Sequence, residues 1–533
     1  MCSNTKQDSR DLRAELVSHP DGSAREHGSW SEMLPSANCD TQSPVVFQNG
    51  AKSASPAGSQ RWSRLRTLGS SNFVLFLGAS VLVLVPCFWQ GRIQAGDLSS
   101  HLYNVWLTQL IRHGQVHGLW IAHQWNNILF DLSLEWLFVH FGAQVAERVA
   151  VAFAVLIFFW GGLTLLFTVT TKRPWSIAPC FAMLAYGYVF QMGFFNFYIS
   201  LGLSFFALAF FWRSSPRYAL FALPLLALAW TAHPLPVLWC LATAGYTWIA
   251  RVIPFRGQLV FFAISVVLLY FLRYFLIQLP SQWSWQQLAR ITGADQLIVY
   301  GTHYVILGIY LLFLWGTLYM QEVRKGLRSA FSIPVQLTLL AGAVTFLLPD
   351  GVLFPGYSNP LTLQITRMSI TTAVLVCCVC GTATPTKFHR YAFGLLALSF
   401  FACLYVDHRE LNRVEDSVTQ LVRQLPPEQR VLALVSLPRA RIQSAHMVDR
   451  ACIGHCFSYA NYEAPSGYFR VRATPHNGVV VSSDSDSKAL QAGQYLVRVS
   501  DLPLYQIYSC GQGNTDLCVR RLNAGEINGS LKF

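Results

Sequence analysis
The chain has 533 residues, of which 53% are hydrophobic and only 12% charged. Soluble domains carry ~25% charged residues, so a soluble globular enzyme and a mostly disordered chain are both excluded, and long continuous apolar runs argue against a β-barrel. The net charge of +13 lies mainly in short basic clusters between apolar runs, the pattern of cytoplasmic loops, and no nucleic-acid motif accompanies it.

Residues 1–70 are polar, rich in Ser, Gly, Asn and Asp, and read as a disordered cytoplasmic tail. The basic patch Arg61, Arg64 and Arg66 precedes the first apolar run, Phe73 to Trp89, and holds that end inside. The segment 90–143 is then a long outer loop at the head of a transmembrane domain spanning 71–406. Two aromatic-rich amphipathic stretches in it, Leu98 to Ile111 and Leu129 to Phe141, read as helices lying at the membrane surface. A span follows at 144–170. Further spans are expected at 175–192, 195–212, 218–233, 235–250, 258–277, 302–320, 332–349, 368–383 and 391–406. Each run is near the ~20 residues that cross a bilayer, giving about eleven in all. An odd number places residues 407–533 outside, consistent with basic clusters such as Lys172-Arg173 and Arg324-Lys325 on the inner side. That region reads as a small extracytoplasmic α+β domain: a charged helix, Asp407 to Gln424, then strands at Arg430 to Val435, Tyr468 to Ala473, Val479 to Ser482 and Tyr495 to Val499. The fold class is therefore an all-α polytopic membrane protein with a small α+β C-terminal domain.

Four of the thirteen cysteines, Cys452, Cys456, Cys510 and Cys518, lie in the outer domain. Two disulfides are expected there. Pairing within 452/456 and within 510/518 is one of three possibilities, and a zinc site on Cys452, His455 and Cys456 is the alternative. Asn528-Gly529-Ser530 is a glycosylation sequon in a eukaryotic host. No Walker, dinucleotide-binding, zinc-protease or nucleophile-elbow motif is present.

On this topology the unusual polar residues gather on the outer face: Asp97, His101, Arg148, Asn196, His233, Arg273, His303, Asp350 and Arg367. Ionisable groups at span ends cost several kcal/mol unless paired or in a wet cavity, and one shared outer cavity explains them together. Each has a plainer reading as well. Asp97 suits a helix N-cap, Arg148 and Arg367 suit span anchors, His233 suits a span cap, and Arg273 suits snorkelling to headgroups.

Residues 73–173 resemble the GT-C superfamily of membrane glycosyltransferases. The likeness rests on the acidic residue opening the outer loop in "AGDLSSHLYNVW", and on the surface helix, Phe-Gly break and following span in "FDLSLEWLFVHFGAQVAERVAVAFAVL". The loop opens with a single acidic residue, not a pair, and a WWD signature is missing. The resemblance implies transfer of a sugar from a polyprenyl-phosphate-linked donor to a hydroxyl of a glycan, lipid or protein acceptor at the outer membrane face. It implies Asp97 as general base. Arg367, then Arg273, would hold the departing phosphate. His101 would position the acceptor or help hold an optional divalent cation, with Arg148, His233 and His303 completing the substrate- and phosphate-binding set. A bacterial inner membrane is the expected setting. The competing readings are a transporter or flippase of lipid-linked glycans, which needs two related halves or broken helices, and a non-catalytic membrane scaffold with a binding outer domain.

Overall fold
A computed structural model describes residues 73–213, 215–356, 360–435, 446–511 and 516–529; the tail expected over 1–70 lies outside them. Among the described residues, six helices are long and apolar enough to cross a membrane: Ala143–Thr170, Phe195–Trp212, Phe255–Leu276, Thr302–Arg324, Gln364–Thr382 and Lys387–Gln424. Phe73–Cys87 and Ile333–Leu347 are apolar but shorter. Pro216–Ala232 and Pro234–Val252 are separate helices meeting at His233, because Pro234 has no N–H with which to continue the first.

The bundle packs around Phe195–Trp212, whose Tyr198 and Phe205 are fully buried. It meets Ala143–Thr170 backbone to backbone at Gly161 and Gly202. A Cβ on Gly161 would come within 2.3 Å of the Gly202 carbonyl oxygen, so only glycine fits, as at close helix crossings in membranes. Phe255–Leu276 buries no residue and presents Phe271, Leu268 and Val260 outward. Such a face suits lipid.

The single span expected over 175–192 does not form, so the eleven-span reading is not reproduced. A 3-10 turn Trp175–Ile177, a helix Ala178–Ala185 and one turn Tyr188–Gln191 take its place. The chain breaks at Gly187, where a Cβ would lie 2.8 Å from the Gln296 carbonyl oxygen. The Gln296 side chain accepts from Val189 N at 3.3 Å. Irregular backbone among apolar helices is tolerated only where protein groups satisfy it, and Gln296 does so here.

The last helix, Lys387–Gln424, is continuous over 38 residues, about 57 Å at 1.5 Å per residue. It carries the chain without interruption from an apolar half into the C-terminal region, through the sequence position 406/407. There a four-stranded sheet runs in the order Phe457–Ser458, Arg430–Leu434, Leu504–Ser509, Leu517–Arg521. The first three strands are parallel and the last antiparallel. Two expected strands are absent. Val479 and Val480 are buried, but their N–H groups bond to Asn477 Oδ1 rather than to a strand. In Tyr495–Val499, Tyr495 N bonds to Asn528 Oδ1, and only the isolated bridge Leu496–Ile527 forms. Asn528 is itself fully buried, donating to the Leu490 carbonyl, which leaves its side chain out of reach in the folded protein.

The two helices expected in the first loop form as Leu98–Arg112 and Leu129–Phe141. The first shares an apolar core with the C-terminal region: Tyr103, Leu107 and Val116 pack with Val418, Val422, Val431 and Ile507. Strand Leu119–Ile121 pairs antiparallel with Val471–Ala473. The long first loop and the C-terminal region are thus one folded layer over the helices.

Candidate active site
Asp97 stands where the broken segment meets helix Leu98–Arg112. Gly96 N donates to the Gln191 carbonyl at 2.7 Å and Asp97 N to the Met192 carbonyl at 3.0 Å. The approach is close because both sides use glycine. A Cβ on Gly193, whose φ is +82°, would fall 2.5 Å from Asp97 N. Asp97 occupies the N-cap position of Leu98–Arg112, yet its side chain makes no capping bond. Its main-chain oxygen accepts from His101 N at 2.9 Å instead. The carboxylate, 20% exposed, forms no hydrogen bond among the described residues.

Three groups bring charge or polarity to it. Arg367 sits in the first turn of Gln364–Thr382, with its guanidinium over the Phe194 ring at 4.0 Å and within the field of Asp97, Tyr462 and Asp350. Its Nε is buried without a hydrogen-bond partner among the described residues. His446 places Nε2 3.6 Å from Asp97 Oδ1 and its Nδ1 3.0 Å from Asp449 Oδ2. Burial opposes a charge on this ring, but Asp449, Asp97 and Glu463 outweigh it and push the imidazolium up to about 9. Tyr462 packs on the His446 ring at 5.2 Å. Burial first, and then Asp97, hold its phenol far above the ordinary range.

One helical turn on, His101 Nδ1 lies 2.7 Å from Asp131 Oδ1, and Asn196 Nδ2 donates to Asp131 Oδ2 at 2.7 Å. Burial works against the His101 charge, but Asp131, Glu463 and Asp97 raise it to about 10. Burial likewise works against ionised Asp131, and His101 and Asn196 still hold it below its usual value. Glu463 accepts from Ser100 at 2.9 Å; burial raises its carboxyl to about 7, opposed by His101. His101, Asn104, Asp131, Glu463 and Arg470 line a cavity of about 20 Å³, room for one water.

The other expected site residues are used differently. Arg148 donates to the carbonyls of Gln90 (3.2 Å) and Gly91 (3.1 Å), tying the exit of the first helix to the next. His233 accepts from Leu235 N at 3.2 Å and caps Pro234–Val252, though Arg367 is among the charges that reach it. Arg273 donates to the Leu347 carbonyl at 2.6 Å and lies over Trp283 at 4.4 Å, closing the C-terminal end of Ile333–Leu347. His303 lies 3.6 Å from Asp407, a carboxylate that also accepts from Tyr304 at 2.6 Å. Asp350 caps Gln364–Thr382 through Thr366 N at 2.8 Å and pairs with Arg290 at 3.3 Å. The structure therefore gathers Asp97, His101 and Arg367 at one place, with His233 at its margin.

Sequence reasoning did not single out His446, Asp449, Tyr462 or Glu463 as site residues, nor the buried clamp beside them. Arg450 Nη1 lies 3.5 Å from Glu147 and 3.4 Å from Glu415, and Nη2 donates to the Ile93 carbonyl at 2.9 Å. Arg450 and Asp449 share helix Met447–Cys452, so the ion cluster and the His446 partner are fixed together. Disulfides join Cys452 to Cys456 and Cys510 to Cys518. The first removes both thiolates from the zinc alternative, and His455 faces the Leu425 carbonyl at 2.9 Å. Among the described residues no group of three or more His, Cys, Asp or Glu is placed to hold a metal ion. No family model matches the chain, and neither a curated protein nor a solved structure matches it.

Proposed function
We propose that this protein is a membrane glycosyltransferase that moves a sugar from a polyprenyl-phosphate-linked donor to an acceptor hydroxyl. The reaction takes place on the side of the membrane bearing the C-terminal layer. The observation that carries this reading is the carboxylate of Asp97, which makes no capping bond, within the field of a buried arginine, Arg367, whose Nε has no partner among the described residues. A buried unsatisfied cationic donor costs free energy, and an anionic phosphate oxygen would satisfy it.

In this scheme the acceptor hydroxyl passes its proton to Asp97 as its oxygen attacks the anomeric carbon. The bond between that carbon and the phosphate oxygen breaks, and the lipid phosphate leaves with the electron pair. Arg367 stabilises the charge that develops there. The disulfides of the C-terminal region support an oxidising, extracytoplasmic side for this chemistry. The polyprenyl chain would lie along exposed apolar helix surface.

The test is binding of polyprenyl monophosphate to the detergent-purified protein. Arg367→Ala is expected to weaken it by roughly 10-fold or more, the worth of a charge-assisted bond. Arg273→Ala is expected to leave it unchanged, because that guanidinium is already committed to Leu347 and Trp283. Unchanged affinity in Arg367→Ala contradicts the assignment.

A further inference from the structure
Asp97 has neighbours from a part of the chain that lies about 350 residues away, and one of them, His446, forms an ion pair with it. His446 Nδ1 faces Asp449 Oδ2 at 3.0 Å, which turns Nε2 toward Asp97 Oδ1 at 3.6 Å. Asp449 is itself fixed, accepting from Ser458 Oγ and, at 3.1 Å, from Asn461 Nδ2. The ring is buried and held against Tyr462. A carboxylate that holds one ring nitrogen while the other faces a second carboxylate fixes the direction of a charged imidazolium between them.

We propose that His446 is a positioning residue for Asp97: Asp449 fixes the ring, and the ion pair from Nε2, 3.6 Å from Oδ1, biases the Asp97 carboxylate toward one orientation for the acceptor hydroxyl. This deepens the glycosyltransferase reading and rests on it for the word acceptor; the His446–Asp97 coupling itself does not. The C-terminal layer then supplies part of the reaction centre. Its removal would disable chemistry even with the membrane helices intact.

The charged and titratable groups around the pair come from several elements. Asp449 lies on the helix that His446 opens, where Arg450 faces Glu147 and Glu415 instead. Tyr462 and Glu463 come from the following turn. Arg367 reaches Asp97 from Gln364–Thr382, and His101 from one turn further along Leu98–Arg112.

Two measurements on the full-length protein separate this inference from the function it rests on. The first is ¹⁵N NMR of protein labelled at histidine, with the His446 signal identified by its loss in His446→Gln. The imidazole is expected to titrate near 9 and to fall by about a unit or more in Asp97→Asn, as loss of an opposite charge at this range requires. An unchanged midpoint overturns the coupling, whatever the protein's activity. The second is the pH profile of sugar transfer. Asp449→Asn is expected to bring its basic limb down by a unit or more, and His446→Gln to lower kcat at least 10-fold with little change in donor KM. A wild-type profile retained in Asp449→Asn overturns the positioning role while leaving the transferase reading intact. Coupling seen by NMR without any transfer by the wild-type protein would overturn the transferase reading alone.

Discussion
Glu463 illustrates how single residues set the pH behaviour of the site. Its folded-state carboxyl is raised to about 7 from an ordinary value near ~4.3. A raised value means stability that is fully present below the unfolded pKa and lost as pH rises through the folded one. Glu463→Gln keeps the acceptor for Ser100 and cannot ionise, so the variant is expected to lose less thermal stability than wild type between pH 5 and pH 8. Parallel melting curves across that range check this, and equal slopes would contradict it. The same residue shows what was legible at this scale. Asp97 was legible because an acidic residue after a first apolar run is locally conspicuous. Glu463 and His446 were not, because "NYEAPSGYF" and "SAHMVDRAC" carry no local pattern and gain meaning only when folding brings them against Leu98–Arg112. Arg273 was legible as an unusual charge, but its partner, the Leu347 carbonyl, is a backbone atom that composition cannot display.

At the scale of elements, the interrupted segment Ala178–Gln191 is the least legible and the most consequential for the site. Hydropathy records how apolar 175–192 is, not whether its N–H and carbonyl groups close into one helix. The helices Leu98–Arg112 and Leu129–Phe141 were legible as helices, since their periodicity survives in isolation, whereas the strands at Val479 and Tyr495 were displaced by Asn side chains that bond the backbone. The turn at Gly193 gives a direct check. Gly193→Ala places a Cβ 2.5 Å from Asp97 N at φ +82°, a conformation that costs an L-residue about 1–2 kcal/mol even without the clash. The variant is expected to insert and remain folded while losing most transfer, measured as kcat on protein purified to the same monodispersity. Full activity would show that the Asp97 turn need not be held there. The long helix offers another check. One alanine inserted after Val406 turns the distal half by about 100° and takes Glu415 away from Arg450, 3.4 Å off, and from the Arg92 guanidinium, 3.6 Å off. Limited proteolysis is expected to cut the C-terminal layer much faster, and wild-type resistance would contradict a docking role for that register.

For the molecule as a whole, the layer over the helices is held by charges that must be ionised in specific states. His101 and His446 are raised to about 10 and about 9. His101 pairs with Asp131 within the first loop, in the field of Glu463 from the C-terminal region, and His446 joins that region to Asp97. Their contribution is complete below ~6.5, the ordinary histidine value, and disappears as pH rises through 9 to 10. Wild-type protein is therefore expected to lose thermal stability from pH 7 to pH 10, and the double variant His101→Gln, His446→Gln to show a flatter dependence from a lower starting point. Fluorescence-monitored melting in detergent checks this. At this scale the membrane class followed from composition alone. The union of residues 90–143 with the C-terminal region did not, since it depends on pairings such as Trp120 with Arg472 that lie far apart in the chain.

The most direct test of the central claim is a comparison of wild type and Asp97→Asn in one assay. Purified proteins would be given radiolabelled hexose on polyprenyl phosphate together with an extract of candidate acceptors. Donor binding would be measured alongside transfer. The account expects both proteins to bind the donor comparably, wild type to transfer hexose, and Asp97→Asn to transfer at least 100-fold more slowly, as loss of a general base commonly gives. Transfer by Asp97→Asn at the wild-type rate, or no donor binding by wild type, would contradict it.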